Sequence, residues 1–151
     1  MCAQTYLDYN ASAPLKPGVA EAVLAALAAG GNPSSVHGYG RGARRRVEDA
    51  RERVAALVAA RAADVVFTSG GSEANNLALS GSGRAGHLIS AIEHESVSAV
   101  MPGAAIIPVN ANGVVDLAAL ARLLGQSETP GLVSIMLANN ETGVVQPIAE
   151  A

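Results

Sequence analysis

Asp64-Val65-Val66-Phe67-Thr68-Ser69-Gly70-Gly71-Ser72-Glu73-Ala74-Asn75-Asn76-Leu77 is the stretch on which the reading of this chain turns. Val65, Val66 and Phe67 are β-branched or aromatic and predict a short buried strand. Ser69-Gly70-Gly71-Ser72 then turns the chain sharply, because glycine adopts backbone angles closed to other residues and lets a ligand approach the main chain. Ala74, Leu77 and Ala78 open a helical period. Strand, Gly-rich turn and helix N-terminus together aim free backbone N–H groups and the positive end of the helix dipole into the turn, where a phosphate fits. A plainer reading stands beside this one: a tight turn with Ser72 as the helix N-cap. The run is not a P-loop, since Gly70-Gly71-Ser72 lacks the Gly-Lys-Ser/Thr ending and its spacing.

On the N-terminal side, residues 4–8 read as extended and Asn10 to Pro14 as a loop of small and polar residues. Pro17 suits a first helical turn. Val19, Val23, Leu24 and Leu27 follow at helical spacing, and Gly30-Gly31 ends that helix. After the loop Asn32-Pro33-Ser34-Ser35, which leads to His37, a longer helix is predicted over 41–61, with Val47, Ala50, Val54, Leu57 and Val58 as its apolar stripe. Its other face is charged, with Asp49 and Arg53 spaced for an ion pair. Arg44-Arg45-Arg46 reads as a solvated face, because acidic residues follow at once.

On the C-terminal side, strands are predicted over 88–92, 104–109 and 131–138. Asn110-Ala111-Asn112-Gly113 is a turn, and Asp116 caps a helix carrying Leu117, Leu120, Leu123 and Leu124. Strands alternating with helices imply an α/β fold with a mostly parallel sheet covered by helices on both faces. Residues 1–15 read as a separate N-terminal arm.

The 151 residues fit one domain by the usual prior of about 100–200 residues. Half of them are hydrophobic and only 3% aromatic, so the core is built from Ala, Val, Leu and Ile. A net charge of −3 argues against a nucleic-acid surface driven by bulk charge. The single cysteine, Cys2, excludes an internal disulfide and a multi-cysteine metal site. No apolar run is long enough for a membrane span, and the first residues lack the basic and apolar regions of a secretion signal. A cytoplasmic location is the default expectation.

Three polar clusters share one placement: Ser69 to Ser72, Glu93-His94-Glu95, and Asn139-Asn140-Glu141-Thr142-Gly143 each follow a predicted strand. In open α/β sheets ligands bind outside the carboxyl ends of the strands, so a crevice there is expected. Each residue alone has a blander explanation. His94 serves as a surface or structural histidine, Asn139 and Asn140 as turn residues, and His37 as loop packing.

These residues resemble a known family. Tyr6-Leu7-Asp8-Tyr9-Asn10-Ala11-Ser12-Ala13-Pro14 looks like its N-terminal pattern, and Asn32-Pro33-Ser34-Ser35-Val36-His37 like its Asn-Pro-Ser-Ser-x-His loop. Phe67 to Asn76 resembles its Thr-Ser-Gly-Ala/Gly-Thr-Glu-x-x-Asn phosphate loop. Glu93-His94-Glu95-Ser96-Val97 resembles Glu-His-x-x-Val, and Asn139 to Ile148 resembles Asn-Asn-Glu-x-Gly-x-x-Gln-Pro-Ile. The family is the cysteine desulfurases, class V aminotransferase-like enzymes of pyridoxal phosphate, and the motifs occur in its order along the whole chain. The resemblance implies the first half of the large domain of pyridoxal-phosphate-dependent transferases, over residues 16–151, with the domain continuing beyond 151 in the family. It implies that Gly71 and Ser72 hold the cofactor phosphate and that His94 stacks on the pyridine ring and shuttles protons. It implies that Asn140 donates to the ring's phenolic oxygen. Asn10, Ala11 and Ser12 would line the substrate side, with Asn32 to His37 as a nearby mobile wall. The reaction it implies takes sulfur from L-cysteine, leaving alanine and an enzyme persulfide, in a homodimer serving a sulfur-acceptor or scaffold protein in iron–sulfur cluster assembly.

The departures bear on activity. The family's Asp-x-x-Gln pattern, its Ser-x-His-Lys pattern with the Schiff-base lysine, and its persulfide cysteine are absent. The single lysine is Lys16 and the single cysteine Cys2, neither in the family's position. The connections at 80–86 and 100–103 are shorter than is usual. The expectation is an N-terminal fragment or one half of a split enzyme, inactive alone and completed by a C-terminal half. A related lyase acting on selenocysteine or cysteine sulfinate, and a non-catalytic assembly module, are the alternatives.

Overall fold

The computed structural model describes residues 5–126 and 131–151. Contacts divide the chain between Phe67 and Thr68 into two compact units.

In the first unit, Val19–Ala29 forms helix α1, entered through Gly18 at a left-handed φ of 81°. No residue of α1 is buried, so its stripe of Val23, Leu24 and Leu27 stays exposed. Helix α2 runs over Gly38–Leu57. It starts earlier than the sequence predicts because the His37 ring accepts from the Gly40 N–H and caps it. It stops earlier too. Ala59 takes φ 54°, while the Ala60 N–H reaches back to the Ala55 carbonyl at 2.9 Å and the Ala59 N–H to Ala56. That is a Schellman closure, built with alanine where glycine is usual. Neither a glycine nor a proline marks this stop in the sequence.

The buried face of α2 also differs from the expected stripe. Gly40, Ala43 and Ala55 are buried, Val47 and Arg51 half-buried, and Leu57 is 85% exposed. Small residues win here because the preceding loop lies against the helix. A side chain at Gly40 would come within 2.1 Å of the Ser35 carbonyl oxygen. Glu48 with Arg51 and Arg61 with Asp64 form the ion pairs of this unit among the described residues, rather than Asp49 with Arg53. The Arg61 hydrogen bonds hold the Asp64 carboxyl below its ordinary value.

The predicted buried strand at Val65 to Phe67 is not formed. After a 3₁₀ turn at Ala62–Asp64 the segment is extended but belongs to no ladder, and Val66 is 65% exposed. A β-branched run becomes a strand only beside a partner that takes its N–H and C=O groups. Here Arg51 substitutes for part of a ladder: its Nη1 donates to the Val65 carbonyl, and its guanidinium lies 5.1 Å over the Phe67 ring.

In the second unit, α3 spans Gly71–Gly81, followed by β1 (Gly86–Ser90), α4 (Glu95–Ser98), β2 (Ala105–Ile107), α5 (Leu117–Gly125) and β3 (Gly131–Ser134). The sheet is parallel, ordered β2-β1-β3, with Leu88 opposite Ala105 and Val133. Successive residues of β1 serve opposite faces. Leu88 packs with Ile107, Val115 and Leu120, while Ile89 packs with Leu79, Val97 and Met101. The α/β expectation of a parallel sheet covered on both faces therefore holds. Asp116 caps α5 as expected, accepting from the Ala119 N–H at 2.9 Å.

β2 and β3 are shorter than the apolar runs that predict them, and β1 lies two residues earlier than expected. β1 pairs with β3 as far as Ile89 opposite Ser134. The Met136 N–H instead donates to the Glu93 carboxylate at 2.7 Å, which also accepts from the Ser90 hydroxyl at 3.0 Å. Two antiparallel bridges, Val109 with Val115 and Ala138 with Val145, close the turns beyond β2 and β3. No described helix is long and apolar enough to cross a membrane.

Candidate functional site

Gly70 is the N-cap of α3, with an extended φ of 172°, so Ser72 lies in the first helical turn rather than at the cap. The first backbone bond of the helix is Ala74 N–H to the Gly70 carbonyl, at 3.1 Å. The N–H groups of Gly71, Ser72 and Glu73 precede it and have no acceptor among the described residues. A helix N-terminus always leaves such donors. A Cβ placed on Gly70 or Gly71 would meet no atom within 4 Å. Packing therefore does not demand glycine at either position, and the backbone faces open space.

The Glu73 carboxylate keeps away from this space by folding back along the chain. Its Oε2 accepts from both the Ser69 N–H and the Ser69 hydroxyl at 2.6 Å. This is a capping box displaced by one residue. The Ser69 hydroxyl, then the Ser69 N–H, hold the Glu73 carboxyl below its ordinary value.

His94 follows β1 and caps α4, its Nδ1 accepting from the Ser96 N–H at 3.0 Å. The Ser96 hydroxyl stands 2.8 Å from the same nitrogen and also accepts from Asn75 Nδ2 at 2.8 Å. Asn75 belongs to α3, one turn past Gly71. Side-chain bonds thus tie the helix of the Gly-rich loop to the turn bearing His94. On the other side, Asn139 Nδ2 donates to the Ile92 carbonyl at 3.1 Å. Asn139 Oδ1 meanwhile gathers the Glu141 and Thr142 N–H groups at 3.0 and 2.9 Å. This turn carries Asn140, which is exposed and donates to Glu141 Oε1 at 2.8 Å. Because β1 and β3 are parallel neighbours, the turns bearing His94 and Asn140 leave one edge of the sheet. Gly71, Ser72, His94 and Asn140 all belong to the second unit.

The other expected residues belong to the first unit. Asn10, Ala11 and Ser12 form a turn held by Asp8, whose Oδ1 accepts from the Ala11 N–H at 3.3 Å and whose carbonyl accepts from Ser12. Asn32 Oδ1 accepts from the Ser34 N–H at 2.9 Å. His37, besides capping α2, meets the Tyr39 ring edge-on at 6.4 Å. A cavity of about 610 Å³ lies beside it, lined by Ala29, Gly38, Tyr39, Gly42 and Arg46.

Sequence reasoning did not single out Asn75, Glu93, Ser96, Asn139 or Gln146 as organisers. Each sits in a motif, but spacing alone does not say which backbone group a side chain reaches 30 or 40 residues away. Gln146 is the clearest case. It is buried, its Oε1 accepts from the Val115 N–H at 2.8 Å, and its Nε2 donates to the Gly113 carbonyl at 2.9 Å.

The chain is 39% identical to an IscS-like cysteine desulfurase of Mycobacterium tuberculosis, over 96% of this chain and 41% of the relative. It is 38% identical to the cysteine desulfurase IscS of Dictyoglomus turgidum, over 97% of this chain and 40% of the relative. Among solved structures, a NifS-like protein from Rickettsia africae superposes with a TM-score of 0.88 at 41% identity, covering 96% of this chain and 42% of that one. DndA from Streptomyces lividans superposes at 0.71 with 36% identity, over 97% and 44%. The chain thus spans about 40% of the length of the curated relatives it matches. A model of the aminotransferase class-V family matches residues 5–151, and the chain belongs to that family.

Proposed function

We propose that this chain is the cofactor-phosphate part of a cysteine desulfurase that takes sulfur from L-cysteine with pyridoxal phosphate. The observation that carries this reading is the start of α3, where the Gly71, Ser72 and Glu73 N–H groups have no acceptor among the described residues and a Cβ on Gly70 or Gly71 would meet no atom within 4 Å. Those donors and the helix dipole suit a dianionic phosphate. The donor set fits the phosphate end of pyridoxal phosphate, with the Ser72 hydroxyl as a further donor. The fit extends along the tied turns: His94 offers a flat imidazole for the pyridine ring, and Asn140 an amide for its phenolic oxygen. When bound, pyridoxal phosphate supplies an electron sink for cleavage at the amino-acid substrate. His94 then moves protons beside the ring.

The fit does not extend to the cofactor-anchoring lysine or to a persulfide thiol. Lys16 precedes α1 in a segment unlike the family's lysine motif. In this reading the activity belongs to an assembly, a homodimer or a complex with a C-terminal half, that works in the cytoplasm and passes sulfur to an acceptor protein.

The test titrates the ¹⁵N-labelled chain with pyridoxal phosphate and, separately, with pyridoxal. Phosphate-dependent shifts at the Gly71, Ser72 and Glu73 amides support the reading. Equal responses to both compounds, or none at these amides, refute it.

A further inference from the structure

The nitrogen through which His94 exchanges a proton is set by its neighbours. The Ser96 backbone N–H lies 3.0 Å from His94 Nδ1, and a backbone N–H only donates. Nδ1 is therefore a bare acceptor, and the neutral ring carries its proton on Nε2. The Ser96 hydroxyl, 2.8 Å from the same bare nitrogen, must donate to it as well. That leaves the Ser96 oxygen with lone pairs alone for its second neighbour. Asn75 accordingly presents its NH₂ group, at 2.8 Å, and the amide orientation is fixed by the same logic. One unambiguous donor orders the chain of bonds from α3 to the imidazole.

We infer that Ser96 and Asn75 are positioning residues that hold His94 in the Nε2–H tautomer, so that Nε2 is the edge it offers to a ligand. The inference rests on the proposed role of His94. Nδ1 is occupied twice, by the Ser96 N–H and the Ser96 O–H, and is closed to a substrate. A proton passed between His94 and a bound amino acid or cofactor travels through Nε2. Asn75 makes this arrangement part of the helix that opens with Gly71 and Ser72.

The experiment is a long-range ¹H–¹⁵N correlation of the imidazoles in the full chain labelled at histidine, with His94 assigned by its loss in His94→Gln. In the unsubstituted chain His94 should show a protonated Nε2 and a bare Nδ1. Ser96→Ala removes one of two bonds accepted by Nδ1, and the Nδ1–H share should rise roughly fivefold, the factor expected for one neutral hydrogen bond. Ser96→Thr retains the hydroxyl and should restore the original ratio, and Ser98→Ala on the same helix should not move it. An Nδ1–H tautomer in the unsubstituted chain, or a ratio unmoved by Ser96→Ala in a variant with unchanged circular dichroism, overturns the inference. Addition of pyridoxal phosphate separates the two readings. His94 resonances that ignore it count against stacking on the cofactor while leaving the tautomer assignment standing.

Discussion

Gln146→Leu is expected to loosen the turn that carries Asn140. Gln146 is 3% exposed, and its amide bonds both the Val115 N–H and the Gly113 carbonyl. Its own N–H bonds the Leu137 carbonyl at 2.8 Å, so the residue joins the Val109–Val115 turn to the Ala138–Val145 turn. Leucine has a similar reach but no polar atoms. Val115 is 4% exposed, so its N–H would lose its acceptor where water does not replace it. An orphaned buried donor costs about 1–3 kcal/mol, and the lost bond to the half-buried Gly113 carbonyl about 0.5–1.5 kcal/mol more. Burial of the new isobutyl group returns on the order of 1 kcal/mol. The net loss is about 2 kcal/mol, a roughly thirtyfold rise in the opening equilibrium. Amide hydrogen exchange at Val115 and Val145 reads this residue by residue. Exchange at Val115 within a factor of two of the unsubstituted chain, about 0.4 kcal/mol, would show that the Gln146 bonds hold nothing.

Ala59→Gly should stabilise the first unit by about 0.5–1 kcal/mol, because alanine at φ 54° carries left-handed strain that glycine does not; an unchanged or lower urea midpoint would refute the strain. The Glu73 carboxyl is held below its ordinary 4.5 by Ser69, so the loop contact is complete above that pH and is lost as pH falls through the lowered value. The Ser69 amide shift should follow a midpoint under 4.5 and lose this titration in Glu73→Gln; a midpoint at or above 4.5 contradicts the contact. The chain mixed with pyridoxal phosphate and cysteine should release no sulfide or alanine above a cofactor-only control. Turnover abolished by Lys16→Ala would overturn the reading that Lys16 is not the cofactor's lysine.

Much of the second unit was legible in the sequence. Asp116 as a cap, the turn ending at Gly113 and strands alternating with helices all follow from rules that act within a few residues. The motifs around Ser69, His94 and Asn140 likewise identified the family, because spacing within a turn is a local property. The ends of elements were harder to read. α2 closes at Leu57 on an alanine forced left-handed, which no punctuating residue announces. β3 stops at Ser134, opposite Ile89, where the Glu93 carboxylate takes over the Met136 N–H, a fact about another segment.

The buried side of α2 and the fate of Val65 to Phe67 show the same limit. Hydrophobic periodicity names an apolar face, but which face is covered depends on what lies against it. Gly40 and Ala43 win because a loop comes close, and Val66 stays exposed because no described strand pairs with it. The sequence by itself determined the α/β class and the family, since these depend on residue type and short spacing. Only the tertiary structure decided that Asn75, Ser96 and Asn139 bind the loop helix and the two turns together. Those bonds join backbone and side-chain groups 20 to nearly 50 residues apart, and their partners exist only once the parallel sheet brings its strand ends to one edge.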